Sequence, residues 1–197
     1  MNNTIEIVPA LKRLELKHVG RWEELYMEFL SELNIITGDA GSGKSTIFRA
    51  IVKTIHPSAR VEYPVSPTLG YTVGDISVEL MAPDITLRIA TSPSLSLVRD
   101  SNEPQGHFNL ELLRSCIEAT TPGTAILVED EVIGVLDNHD YAEVVKLLNT
   151  SLCQVILIIC HRLDPNQFRR ARIYATFWDQ EDDKLKMRLK QSGEVKS

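Results

Sequence analysis

The pattern of apolar and polar residues predicts strands along most of the chain. Alternation with a period of two is typical of half-buried strands, and short continuous apolar runs are typical of fully buried ones. The final strands form a hairpin whose outer arm carries lysines and an arginine that protect a sheet edge. The strands predicted in this way are residues 11–19, 24–30, 33–37, 74–82, 84–90, 124–128, 153–160, 173–178 and 184–190.

Three segments with apolar residues at helical spacing alternate with the later strands. They are residues 45–55, residues 109–119 with Asn109 as the N-cap, and residues 140–149. Buried strands separated by helices predict an α/β fold with a mixed central sheet flanked by helices. The strands before residue 31 are expected to form an antiparallel β-subdomain.

A glycine-rich loop stands between the strand predicted at 33–37 and the helix predicted at 45–55. Its sequence, GDAGSGKST, fits the pattern G-x-x-x-x-G-K-[ST] of a phosphate-binding P-loop. Glycines permit positive φ angles and a close approach to phosphate, and the following helix adds its positive N-terminal end. The alternative, an ordinary glycine-rich turn, is disfavoured by the strand and helix on either side. The loop therefore predicts a nucleotide site within a P-loop NTPase fold.

The residues of this loop have distinct predicted roles. Lys44 is expected to reach the β- and γ-phosphates and to act in catalysis, Ser45 to ligate Mg²⁺, and Thr46 to bind the α-phosphate. The other residues are expected to surround the phosphates, mainly through backbone N–H groups. These are Gly38, Asp39, Ala40, Gly41, Ser42 and Gly43.

Acidic residues follow the apolar strand predicted at 124–128. Acidic side chains at the carboxyl end of a core strand beside a P-loop are placed to meet Mg²⁺ and an attacking water. Asp130 is the expected metal residue, directly or through water, and Glu131 is the expected general base. The alternative is that the acidic triplet at residues 129–131 forms a solvated turn, but the buried strand that precedes the triplet disfavours this interpretation.

Several motifs in their order along the chain carry a family resemblance. The run DEVIGVLD, residues 130–137, resembles the DExxxxLD pattern of ATP-binding-cassette ATPases, and CHR, residues 160–162, resembles their H-loop. The segment from residue 11 to the P-loop resembles the opening of structural-maintenance-of-chromosomes and RecF-type heads. Altogether the resemblance covers roughly residues 11–178, and the chain is interpreted as one head domain, 1–197, with a small tail at 191–197.

The resemblance implies further roles and partners. It implies that His161 contacts the γ-phosphate and attacking water, and that Asp137 helps to shape the opposing active site across a head-to-tail dimer. The dimer would form with a second copy or a related subunit. The resemblance also implies ATP and Mg²⁺ as ligands and an action on DNA, in processing or repair, or on a partner protein.

The chain departs from the family pattern in two motifs. The signature LSGGQ is absent, and its place falls at residues 106–110, GHFNL, where Gly106 and Asn109 are expected to offer donors to a partner's γ-phosphate. The second motif is the Q-loop glutamine, for which Gln105 is the one candidate. No heptad run follows the P-loop helix, which excludes a coiled-coil arm. Because the signature is absent, turnover is expected to be weak.

Two further residues have open interpretations. Trp22 stands where transporter cassettes usually place an aromatic residue that stacks on adenine, with ordinary packing as the alternative. Arg60 lies in a serine-and-arginine stretch similar to one found after the P-loop helix of chromosome-maintenance proteins, where an arginine acts near the nucleotide.

The composition limits the class of protein but does not indicate an activity. The chain has 197 residues, a formal charge of −6 and three cysteines without metal-ligand spacing, interpreted as reduced thiols. The negative charge argues against a protein whose bulk electrostatics attract nucleic acid, although Arg169, Arg170 and Arg172 form a local basic cluster. The longest apolar run is too short to cross a bilayer. A cytoplasmic protein with no membrane partner is expected.

Two alternatives to a working ATPase remain open. In the first, ATP acts as a switch that assembles a complex, with little or no turnover. In the second, the chain is a P-loop kinase for a small molecule. A kinase needs a mobile lid that brings arginines over the phosphates, and residues 137–162 show no obvious lid.

Overall fold

The computed structural model describes residues 5–55, 75–81, 105–121, 123–159, 167–168 and 170–192. The described strands are β1 (Ile5–Pro9), β2 (Leu11–Val19), β3 (Trp22–Glu28), β4 (Leu33–Gly38), β5 (Asp75–Leu80), β6 (Thr124–Glu129), β7 (Gln154–Ile159), β8 (Ala171–Asp179) and β9 (Lys184–Ser192). The described helices are α1 (Lys44–Ile55), α2 (Gln105–Ala119), α3 (Asp130–Gly134) and α4 (Asn138–Thr150).

Six strands form the central sheet in the order β1-β6-β7-β4-β8-β9. The four inner strands are parallel, and the two edge strands, β1 and β9, run antiparallel to their neighbours. Since the inner strands are parallel, their carboxyl ends meet at one edge of the sheet, where loops bind ligands in open α/β folds. The predicted mixed sheet is confirmed.

A second sheet of three antiparallel strands, β3-β2-β5, packs over one face of the central sheet. Helix α1 shares this layer, and its apolar face joins the buried side chains of β2 and β3 in one core, which includes Ile36 of β4. The other face carries α2, α3 and α4 over a second core that includes Ile35. Adjacent residues of β4 thus serve opposite cores, as the period-two geometry of a strand requires. The predicted β-subdomain is confirmed.

Buried amide side chains join the small sheet to the central one. Gln154, at the start of β7, accepts from Leu11 N at 2.7 Å and donates to Leu11 O at 2.8 Å and Leu30 O at 2.7 Å. Asn34 of β4 accepts from Leu30 N at 2.7 Å. Because both amides are almost fully buried, each satisfies backbone groups that water cannot reach.

The structure differs from the sequence predictions at the N-terminus and at the start of α2. Strand β1 was not predicted, and helix α2 begins at Gln105, four residues before the predicted N-cap. Asn109 is therefore inside the helix, and it is fully buried. The strand predicted at 84–90 lies outside the described residues. Of the tail expected at 191–197, residues 191 and 192 belong to β9, and the rest is outside the described residues.

Candidate nucleotide site

The P-loop has the strand-loop-helix geometry that the sequence predicts. Strand β4 ends at Gly38 and α1 begins at Lys44. Three glycines take φ angles that other residues adopt only at a cost: Gly38 at +152°, Gly41 at +77° and Gly43 at +81°. The first-turn N–H groups of α1 have no partner within the helix, so they are donors for an anion at this point.

Lys44 lies folded against its own loop. Its ammonium donates to Gly38 O at 2.8 Å, Asp39 O at 2.6 Å and Ser42 Oγ at 3.4 Å, and the residue is only 6% exposed. An ammonium has three donors, so these acceptors account for all of them. The ammonium is therefore held within the loop by three uncharged acceptors, and phosphate oxygens must replace some of them in order to bind this charge.

The first half of the P-loop is fixed by β8. Ser42 Oγ and Thr176 Oγ1 are 2.6 Å apart, and Thr176 Oγ1 donates to Thr37 O at 3.2 Å. A Cβ atom on Gly38 would lie 2.2 Å from Thr176 O, which leaves room only for glycine. Sequence reasoning did not identify Thr176, because no local pattern connects it with the loop.

The second half of the loop is fixed by Trp22. Its indole Nε1 donates to Gly43 O at 3.1 Å, and the residue has no exposed surface. A Cβ atom on Gly43 would lie 2.7 Å from both Trp22 Nε1 and Leu185 Cδ1. Stacking of Trp22 on adenine is thus excluded, since its ring is enclosed by the protein. The alternative of ordinary packing is confirmed, and it places the ring under the loop.

The two hydroxyl residues at the start of α1 differ in their surroundings. Ser45 is exposed, as a residue that ligates a metal beside bound nucleotide requires. Thr46 is half-buried against Gly20 in the β2–β3 turn, where a Cβ on Gly20, at a φ of +59°, would be 2.9 Å from Thr46 Cγ2. The exposed loop residues are Asp39, Ala40 and Gly41.

The backbone places the acidic segment at the edge of the sheet that carries the P-loop. Strand β6 ends at Glu129, and α3 begins at Asp130 and includes Glu131. Strand β7 lies between β6 and β4 and ends two residues before His161, which is outside the described residues. At about 4.8 Å between neighbouring strands, the ends of β6 and β4 are about 10 Å apart. The P-loop and the acidic segment therefore follow strands that end at the same edge of the sheet, with β7 between them.

The chemistry of these residues fits Mg²⁺. A hydroxyl from Ser45 and a carboxylate from Asp130 are oxygen donors, and Mg²⁺ in nucleotide sites keeps several waters and few protein ligands. Within the described part of the chain, no group of three histidine, cysteine, aspartate or glutamate residues is arranged to hold a metal. An all-protein metal site is therefore absent from those residues.

Asp137 has a local role in this chain. Its carboxylate accepts from His139 N and Asp140 N, both at 2.8 Å, and so caps the N-terminus of α4. Its side chain is also exposed, so a contact across a dimer stays a prediction.

Asn109 does not act as a donor at a helix end. It lies in the second turn of α2, and its Nδ2 donates to Val132 O of α3 at 2.9 Å. The expectation that Asn109 reaches a partner's γ-phosphate is wrong, because the side chain is fully buried in the packing of α2 against α3. Nothing further is established for Gly106 or Gln105, of which only the helical backbone is described.

The described arginines of the basic cluster lie at the start of β8 and in the turn before it. Arg172 lies on β8 and donates to Glu28 O at 3.0 Å, and Arg170 lies 3.8 Å from Glu32. Arg169 and Arg60 are outside the described residues. The two described arginines are thus engaged with carboxylates and a carbonyl of the same chain.

Comparison with known proteins defines the class of fold. A family model described as an AAA domain matches residues 13–54, the segment from β2 to the end of α1. The SMC head domain from Thermotoga maritima is 16% identical, with a TM-score of 0.58 over 92% of this chain and 99% of that one. The SMC head bound to the C-winged helix domain of ScpA is 14% identical, with a TM-score of 0.48 over 93% and 98%.

The match to the Thermotoga maritima head shows that the chain has the P-loop NTPase fold of an SMC head, which confirms the resemblance at the level of fold. No curated protein matches the sequence. Among the described residues, none of the helices combines the length and apolar character needed to cross a membrane.

Proposed function

We propose that this chain binds Mg-ATP at residues 38–46 and hydrolyses it slowly as an ATPase head. The observation that supports this proposal is the geometry of the P-loop. Three of its glycines have positive φ angles, the Lys44 ammonium lies within the loop, and α1 begins at the end of the loop. When Mg²⁺ is bound, it neutralises charge on the β- and γ-phosphates. Ser45 and Asp130 are the residues proposed to hold it.

ATP binding is tested by thermal unfolding with and without ATP. At one hundred times the dissociation constant, ATP adds roughly 2.7 kcal/mol of stability, or about 5–11 °C in Tm for a domain of this size. Lys44→Ala is expected to lose most of this rise, and Lys53→Ala, at the other end of α1, to keep it. A full ATP-dependent rise in Lys44→Ala would refute the phosphate site.

Hydrolysis is assigned to Glu131, with His161 at the γ-phosphate. Support comes from the sequence pattern and from the backbone, since α3 begins directly after β6 at the edge that carries the P-loop. Loss of a general base costs about 10²- to 10⁴-fold in rate, so Glu131→Gln should abolish steady-state turnover. Glu118→Gln, on the exposed side of α2, is the matched control. Equal ATPase rates in the two variants would rule out Glu131.

Head-to-tail pairing, with itself or a related subunit, is the proposed quaternary arrangement. Asp137 is exposed at the start of α4 and is proposed to face the partner's site. The solution mass of Glu131→Gln, measured with and without ATP, tests self-association: a dimer is expected with ATP only. A monomer at every ATP concentration would contradict self-pairing.

A link to DNA is tested separately, by comparing ATPase rates with and without duplex DNA.

A nucleotide-gated assembly module is the second candidate, and the position of Asn109 favours it. With that side chain buried against α3, the segment in the place of the signature motif presents one fewer donor to a partner subunit. Single-turnover and steady-state hydrolysis separate the two functions. A module shows ATP-dependent association with a turnover rate indistinguishable from that of Glu131→Gln.

A further inference from the structure

We propose that Thr176, 134 residues beyond Ser42 in sequence, is a positioning residue for the nucleotide. Its hydroxyl holds the P-loop in the conformation that accepts phosphate. The inference rests on the proposed ATP site and adds to it a residue from outside the motif.

The hydrogen bonds form a directed chain from the lysine to β8. Thr176 Oγ1 has one proton, which it donates to Thr37 O at 3.2 Å, so Ser42 Oγ donates its own proton to Thr176 at 2.6 Å. Ser42 Oγ in turn accepts from Lys44 Nζ at 3.4 Å. The hydroxyl of Thr176 thereby orients Ser42, and Ser42 contributes to the position of the ammonium.

Both hydroxyls in this chain are shielded from water. Thr176 is 2% exposed and Ser42 is 3% exposed, so no solvent molecule replaces either partner. Thr176 also lies beside Gly38 in the parallel register of β4 and β8, in the contact that leaves no room for a Cβ at Gly38. The side chain of Ser42 thus faces β8.

Loss of this hydroxyl is expected to lower the fraction of molecules whose loop is ready to bind. The apparent dissociation constant for ATP is inversely proportional to that fraction, so it rises as the fraction falls. Thr176→Val keeps the shape of the side chain and removes both hydrogen bonds. Loss of the bond to Ser42, which orients the loop, corresponds to a roughly 2- to 12-fold higher dissociation constant for ATP.

The experiment measures ATP binding by titration calorimetry and ligand-free Tm for the wild type and three variants. Thr176→Ser retains the hydroxyl and is expected to restore wild-type affinity. Thr124→Val is the matched control, because Thr124 is 7% exposed and its hydroxyl also makes two hydrogen bonds, to Thr121 at the far end of the sheet. It is expected to lower Tm and leave ATP affinity unchanged.

Three results would overturn the inference: wild-type affinity in Thr176→Val, equal weakening in Thr176→Ser, or equal weakening in Thr124→Val. If Thr176→Val does not fold, Ser42→Ala removes the same bond from the loop side, and unchanged affinity in that variant would overturn it as well. A wild-type protein that binds no ATP would instead refute the proposed function, and this inference with it.

Discussion

Replacing Gly43 by alanine tests whether Trp22 and Leu185 hold the P-loop from below. Gly43 and Gly41 have nearly the same positive φ, +81° and +77°, which alanine adopts at a cost of about 1–2 kcal/mol. Only at Gly43 does the new Cβ meet other atoms, 2.7 Å from Trp22 Nε1 and from Leu185 Cδ1, whereas nothing lies within 4 Å at Gly41.

The difference between the two variants isolates the contact with Trp22 and Leu185. Overpacking adds about 1–3 kcal/mol, and weakening of the indole hydrogen bond to Gly43 O adds about 1 kcal/mol. With roughly 2–4 °C per kcal/mol for a domain of this size, Gly43→Ala should unfold at least about 4 °C below Gly41→Ala. Thermal unfolding without nucleotide measures the difference.

Fluorescence provides an independent reading of the same contact. The chain has two tryptophans, so a Trp178→Phe background leaves Trp22 as the single reporter. Its emission should shift to longer wavelength in Gly43→Ala and stay unchanged in Gly41→Ala. Equal melting temperatures and equal spectra in the two variants would refute the reasoning.

Three further outcomes follow from residues away from the loop. Gln154→Leu removes three hydrogen bonds made by a buried amide and should lower the free energy of unfolding by about 3–6 kcal/mol in urea titrations; a loss below about 1 kcal/mol contradicts this. Burial, and secondarily a nearby carboxylate, raises the pKa of the Cys116 thiol to about 11, so mass spectrometry after iodoacetamide at pH 8 should find Cys153 modified and Cys116 intact. Modification of Cys116 in the folded protein would contradict its burial. Asp137→Ala should cost about 1 kcal/mol in thermal unfolding through loss of the α4 cap, and Asp137→Asn should retain it; equal losses would show that capping is not the cause.

The sign of the Cys116 effect on stability also follows from its pKa. Because the folded state holds the thiol proton more tightly than the unfolded chain, the associated stability is complete below pH 9 and is lost as the pH rises towards 11. Denaturant titrations of wild type and Cys116→Ala across this range should converge at high pH.

Features that depend on local pattern were predictable from the sequence. The P-loop, β2 and the strand-helix alternation follow from hydrophobic periodicity and glycine placement, and the structure has them at nearly the predicted bounds. Strand β1 was missed because its partner β6 is more than a hundred residues away, and Pro9 is more typical of a loop; at a sheet edge a proline is tolerated.

The errors arose where tertiary contacts override local preference. Asn109 has the side chain of a good N-cap, yet in the fold its amide satisfies Val132 O while the helix begins a turn earlier. Thr176 was unpredictable for a related reason, since its contact with Ser42 exists only once β8 lies beside β4.

The attachment of the small sheet has a consequence for hydrogen exchange. At one end of the small sheet, Gln154 bonds to Leu30 O and the Tyr174 hydroxyl donates to Glu28 O at 2.9 Å. At the other end, Trp22 bonds to the P-loop. Separation of β2 and β3 from the central sheet therefore breaks the Trp22 contact with Gly43 and opens the loop in the same event. Any ligand that favours the closed loop raises the free energy of that opening. Bound nucleotide should thus slow amide exchange throughout β2 and β3, including strand residues far from the phosphates.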